Sequence, residues 1–279
     1  MSKKERDRSI PVVEALPVPM PDAHTHLETT REFSGLTTGD LLELARAANV
    51  TRLVDVGDNV AASRQALREA ETHPEIIAAV AIHPNDAARL GGALDEQLFE
   101  LGDLAMSSER IRAIGETGLD FYRTGEEGRP AQYRAFAFHI ELAKQTGLPL
   151  MIHERDAHRE TLQALDDEGA PEKVMMHCFS GDAEFARECA KRGYWLSFAG
   201  NVTYKANQFL AEALEATPVE QLLAETDAPF LTPEPYRGRV NASALLPNTV
   251  RFMAERKGVP LYEFCEILTA NNERLYGQW

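Results

Sequence analysis

Residues 111–153 show in one stretch the pattern that the rest of the chain repeats: IRAIGETGLDFYRTGEEGRPAQYRAFAFHIELAKQTGLPLMIH. An apolar run typical of a β-strand starts near Ile111, and a second starts near Leu148. Between them, apolar residues recur at the i, i+3, i+4 and i+7 positions of one helix face: Tyr133, Phe136, Ala137 and Ile140. The stretch therefore predicts a strand, a helix packed on the sheet, and a second strand parallel to the first.

The same alternation extends over the chain from residue 20 onward. Eight strand-type runs start near Met20, Thr51, Ile76, Ile111, Leu148, Lys173, Tyr194 and Gln221. Successive starts leave room for one helix and two loops. We therefore predict an α/β fold, a (β/α)8 barrel of the TIM type, with an open doubly wound sheet as the alternative.

Local signals place two helices and one domain. Thr37 followed by Asp40 forms a capping-box pattern, which predicts a helix over residues 38–48. A closing helix is predicted over Leu261 to Tyr276. Residues 1–19 carry mixed charges and several prolines and are expected to form a flexible tail, and residues 20–279 a single domain.

Composition narrows the class of protein. The 279 residues are 44% hydrophobic and 26% charged, which excludes wholesale disorder. A net charge of −15 repels polyanions at long range, so any contact with nucleic acid must be local. No run approaches the ~18 apolar residues of a membrane helix, and we expect no membrane association.

The cysteines exclude two kinds of site. Cys178, Cys189 and Cys265 are an odd number and lack CxxC spacing, so neither a disulfide framework nor a cysteine zinc site is expected. This pattern favours a reducing compartment, and we expect a cytoplasmic protein.

Titratable residues collect where the predicted strands end. Five of the eight histidines lie there: His24, His26, His83, His153 and His177. In an α/β barrel these strand ends converge on the catalytic face. Glu116 and Asp227 close the fourth and eighth runs.

The ligand types predict a metal centre. His24 and His26 are two residues apart, so on a strand both rings point to one side. Six candidate ligands exceed what one catalytic zinc ion needs and suit two divalent ions sharing a carboxylate: His24, His26, Glu116, His153, His177 and Asp227. The mixed donors fit Zn, Mn, Co or Fe, and an oxygen-rich position fits Mg.

The motifs DAHTHLE, GETGLD, IHE, HCFSG, ETDAPFL and YRGRVN follow one another over nearly the whole chain. In this order they resemble the TatD family of metal-dependent deoxyribonucleases in the amidohydrolase superfamily. The resemblance implies the same six metal ligands, a phosphate contact at His83 and a TIM-type barrel. One departure lies after RGRVN, where Ala242 and Ser243 replace the usual Glu-Pro, so substrate contacts in this loop are less firmly implied.

The remaining candidates receive the following roles. Asp227 is the candidate catalytic base and Glu116 the candidate bridging ligand. Loop positions over the site are expected to contact substrate, with the arginines suited to phosphate oxygens: Asp120, Tyr122, Arg123, Arg155, Arg237 and Arg239. Strand alternation turns Asp22 and Glu225 inward below the ligands, where they would orient them.

Other polar residues are expected to serve packing. Cys178 should face away from the adjacent His177 and pack in the core. HERDAH, from His153 to His158, is one residue too long for the helical HExxH zinc motif. Surface or packing positions are expected for the other three histidines: His73, His139 and His158.

The resemblance implies a nuclease that cleaves DNA phosphodiester bonds, and the acidic chain favours strand ends or short oligonucleotides over long duplexes. The same site could instead attack an ester or amide such as a D-aminoacyl-tRNA linkage. A barrel that only stores or binds metal is a third hypothesis. The oligomeric state is open.

Overall fold

The computed structural model describes residues 9–279, and these residues contain an eight-stranded parallel sheet with the strands in chain order. Each strand begins within two residues of its expected start. Their bounds are β1 Met20–Thr25, β2 Val50–Gly57, β3 Ile76–Val80, β4 Ile111–Asp120, β5 Leu150–Arg155, β6 Val174–Met176, β7 Trp195–Phe198 and β8 Leu222–Ala224.

Helices alternate with the strands, so that the predicted (β/α)8 architecture is confirmed and the open sheet is wrong. Their bounds are α1 Leu27–Ser34, α2 Thr38–Ala47, α3 Val60–Thr72, α4 Pro84–Leu90, α5 Leu94–Ala105, α6 Arg129–Thr146, α7 His158–Glu168, α8 Ala183–Lys191, α9 Gln208–Ala216, α10 Leu246–Lys257 and α11 Leu261–Tyr276. The capping box before α2 and the bounds of α11 are as predicted. Among residues 9–279, no helix combines the length and the apolar character that a membrane span needs.

The barrel closes where the segment after β8 meets β1. The Asp227 amide donates to His24 O at 3.0 Å, and the His26 amide donates to Ala228 O at 2.9 Å. Thr25 and Ala228 form a parallel bridge between these hydrogen bonds. Below them, the Asp22 carboxylate accepts from the amide and hydroxyl of Thr226 at 2.9 and 2.5 Å. We call this contact between β1 and residues 226–228 the seam.

The apolar core has two parts. The larger part lies between the strands and the surrounding helices. The smaller part fills the barrel interior with apolar side chains from several strands, including Ala23, Ile77, Met151 and Leu223. Tyr276, at the end of α11, belongs to this inner cluster, and its hydroxyl donates to Ala23 O at 3.1 Å. The inner cluster therefore closes the lower end of the barrel.

The buried face of α6 differs from the expected one. Phe136 and Ile140 are fully buried, but Tyr133 is 38% exposed. The buried face instead centres on Ala135 and His139. The apolar pattern missed this because a buried histidine, which here packs under β3 and β4, counts as polar in the periodicity.

The structure describes the expected tail, residues 1–19, only from residue 9 onward. Residues 1–8 lie outside the described residues. Residues 9–19 form no helix or strand, yet Leu16 is 2% exposed and its amide donates to Ala48 O at 3.1 Å. Leu16 therefore packs as part of the domain.

Candidate metal centre

The six predicted ligands meet at the carboxyl ends of the strands. His24 lies in β1, Glu116 in β4 and His153 in β5. The other three follow a strand end within three residues: His26, His177 and Asp227. Because parallel strands place their carboxyl ends on one side of a barrel, these residues share one cavity.

The first group of ligand atoms comes from both sides of the seam. Nε2 of His24 lies 3.1 Å from Nε2 of His26. Oδ1 of Asp227 lies 3.4 Å from Nε2 of His26 and 3.7 Å from Nε2 of His24. Nδ1 of His26 donates to Val56 O at 2.9 Å, which directs its Nε2 toward the other two residues.

Glu116 lies between this group and a second one. Its Oε1 is 3.4 Å from Nε2 of His26. Its Oε2 is 2.9 Å from Nε2 of His177, 3.3 Å from Nδ1 of His153 and 4.0 Å from Nε2 of His83. The two oxygens of one carboxylate thus face two different sets of imidazoles, which is the arrangement that a bridging ligand requires.

The chemistry of this donor set fits a divalent cation. Oε2 of Glu116 is buried and has no hydrogen bond, although two imidazole nitrogens lie close to it. Such an oxygen is costly to bury unless a cation or a donor reaches it. Ligand atoms also lie within 4.8 Å of one another in three sets: His24, His26 and Glu116; His24, His177 and Asp227; His83, Glu116 and His153.

Two histidines are held by carboxylates at their other ring nitrogen. Nδ1 of His177 donates to Oε1 of Glu225 at 3.0 Å, so Glu225 orients this ring as predicted. Nε2 of His153 lies 3.2 Å from Oδ2 of Asp120. Carboxylates in this position fix the ring and raise its basicity toward a metal. Asp22 does not orient the ring of a candidate ligand; its hydrogen bonds to Thr226 connect the two sides of the seam.

The electrostatics of the centre favour positive charge. Burial lowers the pKa of His24 well below its usual value. Burial acts on His26 in the same direction, but Asp227 and Glu116 outweigh it and raise its pKa to about 10. Burial would raise the pKa of Glu116, yet the imidazoles of His177 and His83 hold it well below its usual value. Glu116 therefore stays ionised and favours positive charge beside it, whereas burial favours the neutral form of His24, which is the form that binds a metal.

Two glycines explain how β4 presents Glu116. A Cβ on Gly115 would lie 2.4 Å from Cβ of Met151 on the neighbouring strand. Gly118 has a φ of +136°, and a Cβ there would lie 2.2 Å from His153 O. Both positions therefore require glycine, which lets β4 and β5 approach closely and brings Glu116 next to His153.

Five of the six candidate ligands line a cleft of about 580 Å³, and the fully buried His24 lies next to one of them, His26. Three of the seven predicted substrate residues line it: His83, Arg123 and Arg155. His83 caps α4 through Nδ1, which accepts from the Asn85 amide at 3.1 Å, so its Nε2 faces Glu116. The Arg155 guanidinium lies 3.9 Å from the centre of the Tyr122 ring. Tyr122 itself does not line the cleft but supports a residue that does.

The other three predicted substrate residues are placed differently. Asp120 is not in a loop but in β4, where it is 1% exposed and accepts from the Arg123 amide at 2.8 Å as well as facing His153. Arg237 is exposed and packs its guanidinium 4.3 Å from the Tyr204 ring, and neither Arg237 nor Arg239 lines the cleft. The predicted loop position of Asp120 is wrong because β4 runs four residues beyond Glu116.

Cys178 is also placed differently from its predicted position. It lines the cleft instead of packing away from it. Strand alternation does not apply because β6 ends at Met176, and Cys178 has a φ of +43°. Its amide donates to Oε1 of Glu225 at 2.8 Å.

Sequence reasoning missed one buried residue and several lining residues. Asn241, the last residue of RGRVN, is fully buried and its amide group donates to Thr226 O at 2.8 Å and Phe230 O at 2.6 Å. It therefore fixes the turn that carries Asp227. Phe209, at the start of α9, and Phe230, in the segment after β8, line the cleft, but an isolated phenylalanine carries no sequence signal that separates it from a core residue.

Known proteins similar to this chain can be compared with this geometry. A family profile described as "TatD related DNase" matches residues 21–277. A protein of Mycobacterium tuberculosis described as "Uncharacterized metal-dependent hydrolase TatD" is 45% identical over 262 residues, which cover 92% of this chain and 98% of that protein. The protein YabD of Bacillus subtilis, described in the same way as a metal-dependent hydrolase, is 38% identical over 257 residues, with 91% and 98% covered.

A solved structure agrees with the fold. YJJV, a TatD homolog from Escherichia coli K12, superposes with a TM-score of 0.85 at 25% identity, over 93% of this chain and 98% of that chain. The high coverage of both chains shows that the two proteins share the barrel fold.

Proposed function

Since this chain belongs to the TatD family of metal-dependent hydrolases, we propose that it hydrolyses phosphodiester bonds of DNA, acting from strand ends or on short oligonucleotides. The observation that carries the proposal is the position of Glu116, whose two carboxylate oxygens face separate imidazole groups. A paired site of this kind suits a phosphodiester, because both the attacking and the leaving oxygen need charge stabilisation.

Two divalent ions are the proposed cofactors, of Zn, Mn, Mg, Co or Fe. His24, His26 and Asp227 would hold one, His153 and His177 the other, and Glu116 would bridge them. When bound, such ions supply Lewis acidity, which lowers the pKa of a water molecule and offsets the charge of a phosphate.

The protein's own side chains would do the rest. Asp227 lines the cleft, and we assign it the role of accepting a proton from the attacking water. Arg123 and Arg155 line the wall and would bind phosphate oxygens with their planar guanidinium groups. His83 would contact the same phosphate or take part in the second ion group, since its Nε2 points at Glu116.

Charge supports a local mode of binding. The chain as a whole carries −15, which repels a long duplex. Two divalent ions would outweigh the carboxylates of Glu116 and Asp227, and two arginines line the wall, so that the cleft would attract a phosphodiester locally. Three unpaired cysteines fit a reducing compartment, and we place this activity in the cytoplasm.

The test uses metal-stripped protein that is reloaded with single metals and quantified for ions per chain. Labelled single-stranded and duplex oligonucleotides, a simple phosphodiester and a D-aminoacyl ester are assayed side by side. We expect two ions per chain and fastest turnover of short single strands. Asp227→Asn should lower kcat by about 100-fold or more, as expected when a positioned base is lost.

Two controls accompany this variant. Asp103→Asn, an exposed position on α5, should keep full activity. Circular dichroism and thermal melts of the metal-free proteins should be unchanged for both variants. Cleavage of the aminoacyl ester without cleavage of any phosphodiester would contradict the proposal and favour the ester hypothesis, and inertness toward every substrate with full metal loading would favour a metal-binding barrel.

A further inference from the structure

Two exposed phenylalanines lie at the mouth of the cleft beside the metal centre. Phe230 is 46% exposed and its ring centre lies 6.5 Å from that of His26. Phe33, near the end of α1, is 42% exposed and meets Phe230 edge to face, with ring centres 5.9 Å apart at 77°. Phe230 lines the cleft. A large aromatic face left in water next to a polar site is typical of a surface that covers a ligand.

The backbone holds Phe230 in a fixed position relative to Asp227. The Phe230 amide donates to Asp227 O at 2.9 Å, and its carbonyl accepts from the buried side chain of Asn241 at 2.6 Å. The same Asn241 amide group donates to Thr226 O. A group stacked on Phe230 would therefore lie at a constant distance from the Asp227 carboxylate.

The rest of the cleft defines the chemistry of that group. The floor collects ligand atoms for cations, and Arg123 and Arg155 line the wall. A ligand that satisfies both features carries an anionic group for the floor and a flat, weakly polar face for Phe230. A nucleotide unit has both, with the phosphate and the base joined through one sugar. Inside a duplex both faces of a base are stacked on neighbouring pairs, whereas an unpaired base can turn out of the strand and stack on an aromatic ring.

We propose that Phe230, supported by Phe33, is a base-stacking subsite for an unpaired nucleotide next to the cleaved bond. This inference rests on the proposed function and specifies its substrate as a single strand or a frayed end. Stacking on one ring is tolerant of sequence, since every base has a π-face. The subsite therefore selects for the presence of a base and for its unpaired state, not for its identity.

The experiment compares two single-stranded oligodeoxynucleotides of equal length. One carries thymine throughout, and the other carries a tetrahydrofuran abasic residue at the last two positions of each end. We expect the reloaded wild type to cleave the thymine strand with a kcat/KM about 10-fold higher or more, the size of one stacking contact. Phe230→Leu should remove most of this preference, mainly by slowing cleavage of the thymine strand, and Phe230→Trp should keep it.

A matched control is Phe99→Leu, because Phe99 is 73% exposed on α5 and does not line the cleft. It should leave both rates unchanged. Equal rates for the two strands with the wild type, or an equal loss on both strands in Phe230→Leu, would overturn the inference while leaving phosphodiester cleavage in place.

A binding measurement separates this inference from the proposed function. If no phosphodiester is cleaved, a short single strand containing 2-aminopurine is titrated with the metal-loaded protein. Quenching by the wild type that is lost in Phe230→Leu and kept in Phe99→Leu would support the subsite without nuclease activity. Absence of quenching by the wild type would overturn it.

Discussion

The two ends of the barrel interior are built from the same strands but carry opposite chemistry. At the lower end, inward side chains are apolar and include Ala23, Ile77 and Leu223. At the upper end, within a few residues along the same strands, buried imidazoles and carboxylates replace them. The contrast is sharpest next to β8, where Leu223 and Glu225 are two residues apart and both fully buried. Stability and chemistry are thus assigned to different ends of one set of strands.

The largest expected effect is at the lower end. Leu223→Ala should lower the free energy of unfolding by about 3 kcal/mol, because it removes buried contacts and leaves a cavity in the inner cluster. Urea unfolding of metal-free protein measures the loss. Activity of the folded fraction at low temperature should stay within about twofold of the wild type. A large loss of activity in the folded fraction would show that packing at the lower end controls the chemistry at the upper end.

An intermediate effect is expected two residues further along. Glu225→Gln keeps an acceptor for Nδ1 of His177 but removes the charge that makes the ring a stronger ligand. Metal affinity should fall by about 10-fold to 100-fold, as measured by competition with a fluorescent chelator. Glu263→Gln, at an exposed position of α11, serves as the matched control and should not alter affinity. Unchanged affinity in Glu225→Gln would remove this residue from the centre's support.

The smallest effect concerns His139, a buried histidine outside the ligand groups. Burial lowers its pKa to about 3, and the Ile82 amide donates to its Nε2 at 3.3 Å, so the folded protein keeps it neutral. The unfolded chain takes up a proton near pH 6.5, so this residue contributes full stability above that pH and loses it as the pH falls toward 3. Between pH 7 and 5.5 the loss should be about 1 kcal/mol.

The control for this prediction is His139→Gln, which retains a hydrogen-bonding side chain that does not titrate. Denaturant unfolding at both pH values should show a shallower pH dependence for the variant than for the wild type. Parallel pH profiles would mean that the pKa of His139 is the same in the folded and the unfolded protein, and would contradict the prediction.

The strand-type runs were predictable because a strand in a barrel is buried on both faces and reads as a continuous apolar segment. The meeting of the six candidate ligands was predictable because the carboxyl ends of parallel strands lie on one side of a barrel. Asp120 was misplaced since no apolar pattern marks where β4 stops. Arg237 and Asn241 lie in a long loop whose path depends on tertiary hydrogen bonds. The spacing of residues in the sequence therefore could not show that Arg237 lies outside the site and that Asn241 lies beneath it.

The seam has a consequence for the stability of the folded protein. His24 and His26 approach the centre from one edge of the sheet and Asp227 from the other, and only a short run of hydrogen bonds joins these edges. An ion bound by all three residues would link the two sides of the seam. Withdrawal of metal would then loosen the ring where its ends meet before it weakens the remaining strands, and the lifetime of the folded enzyme would follow the metal supply of its surroundings.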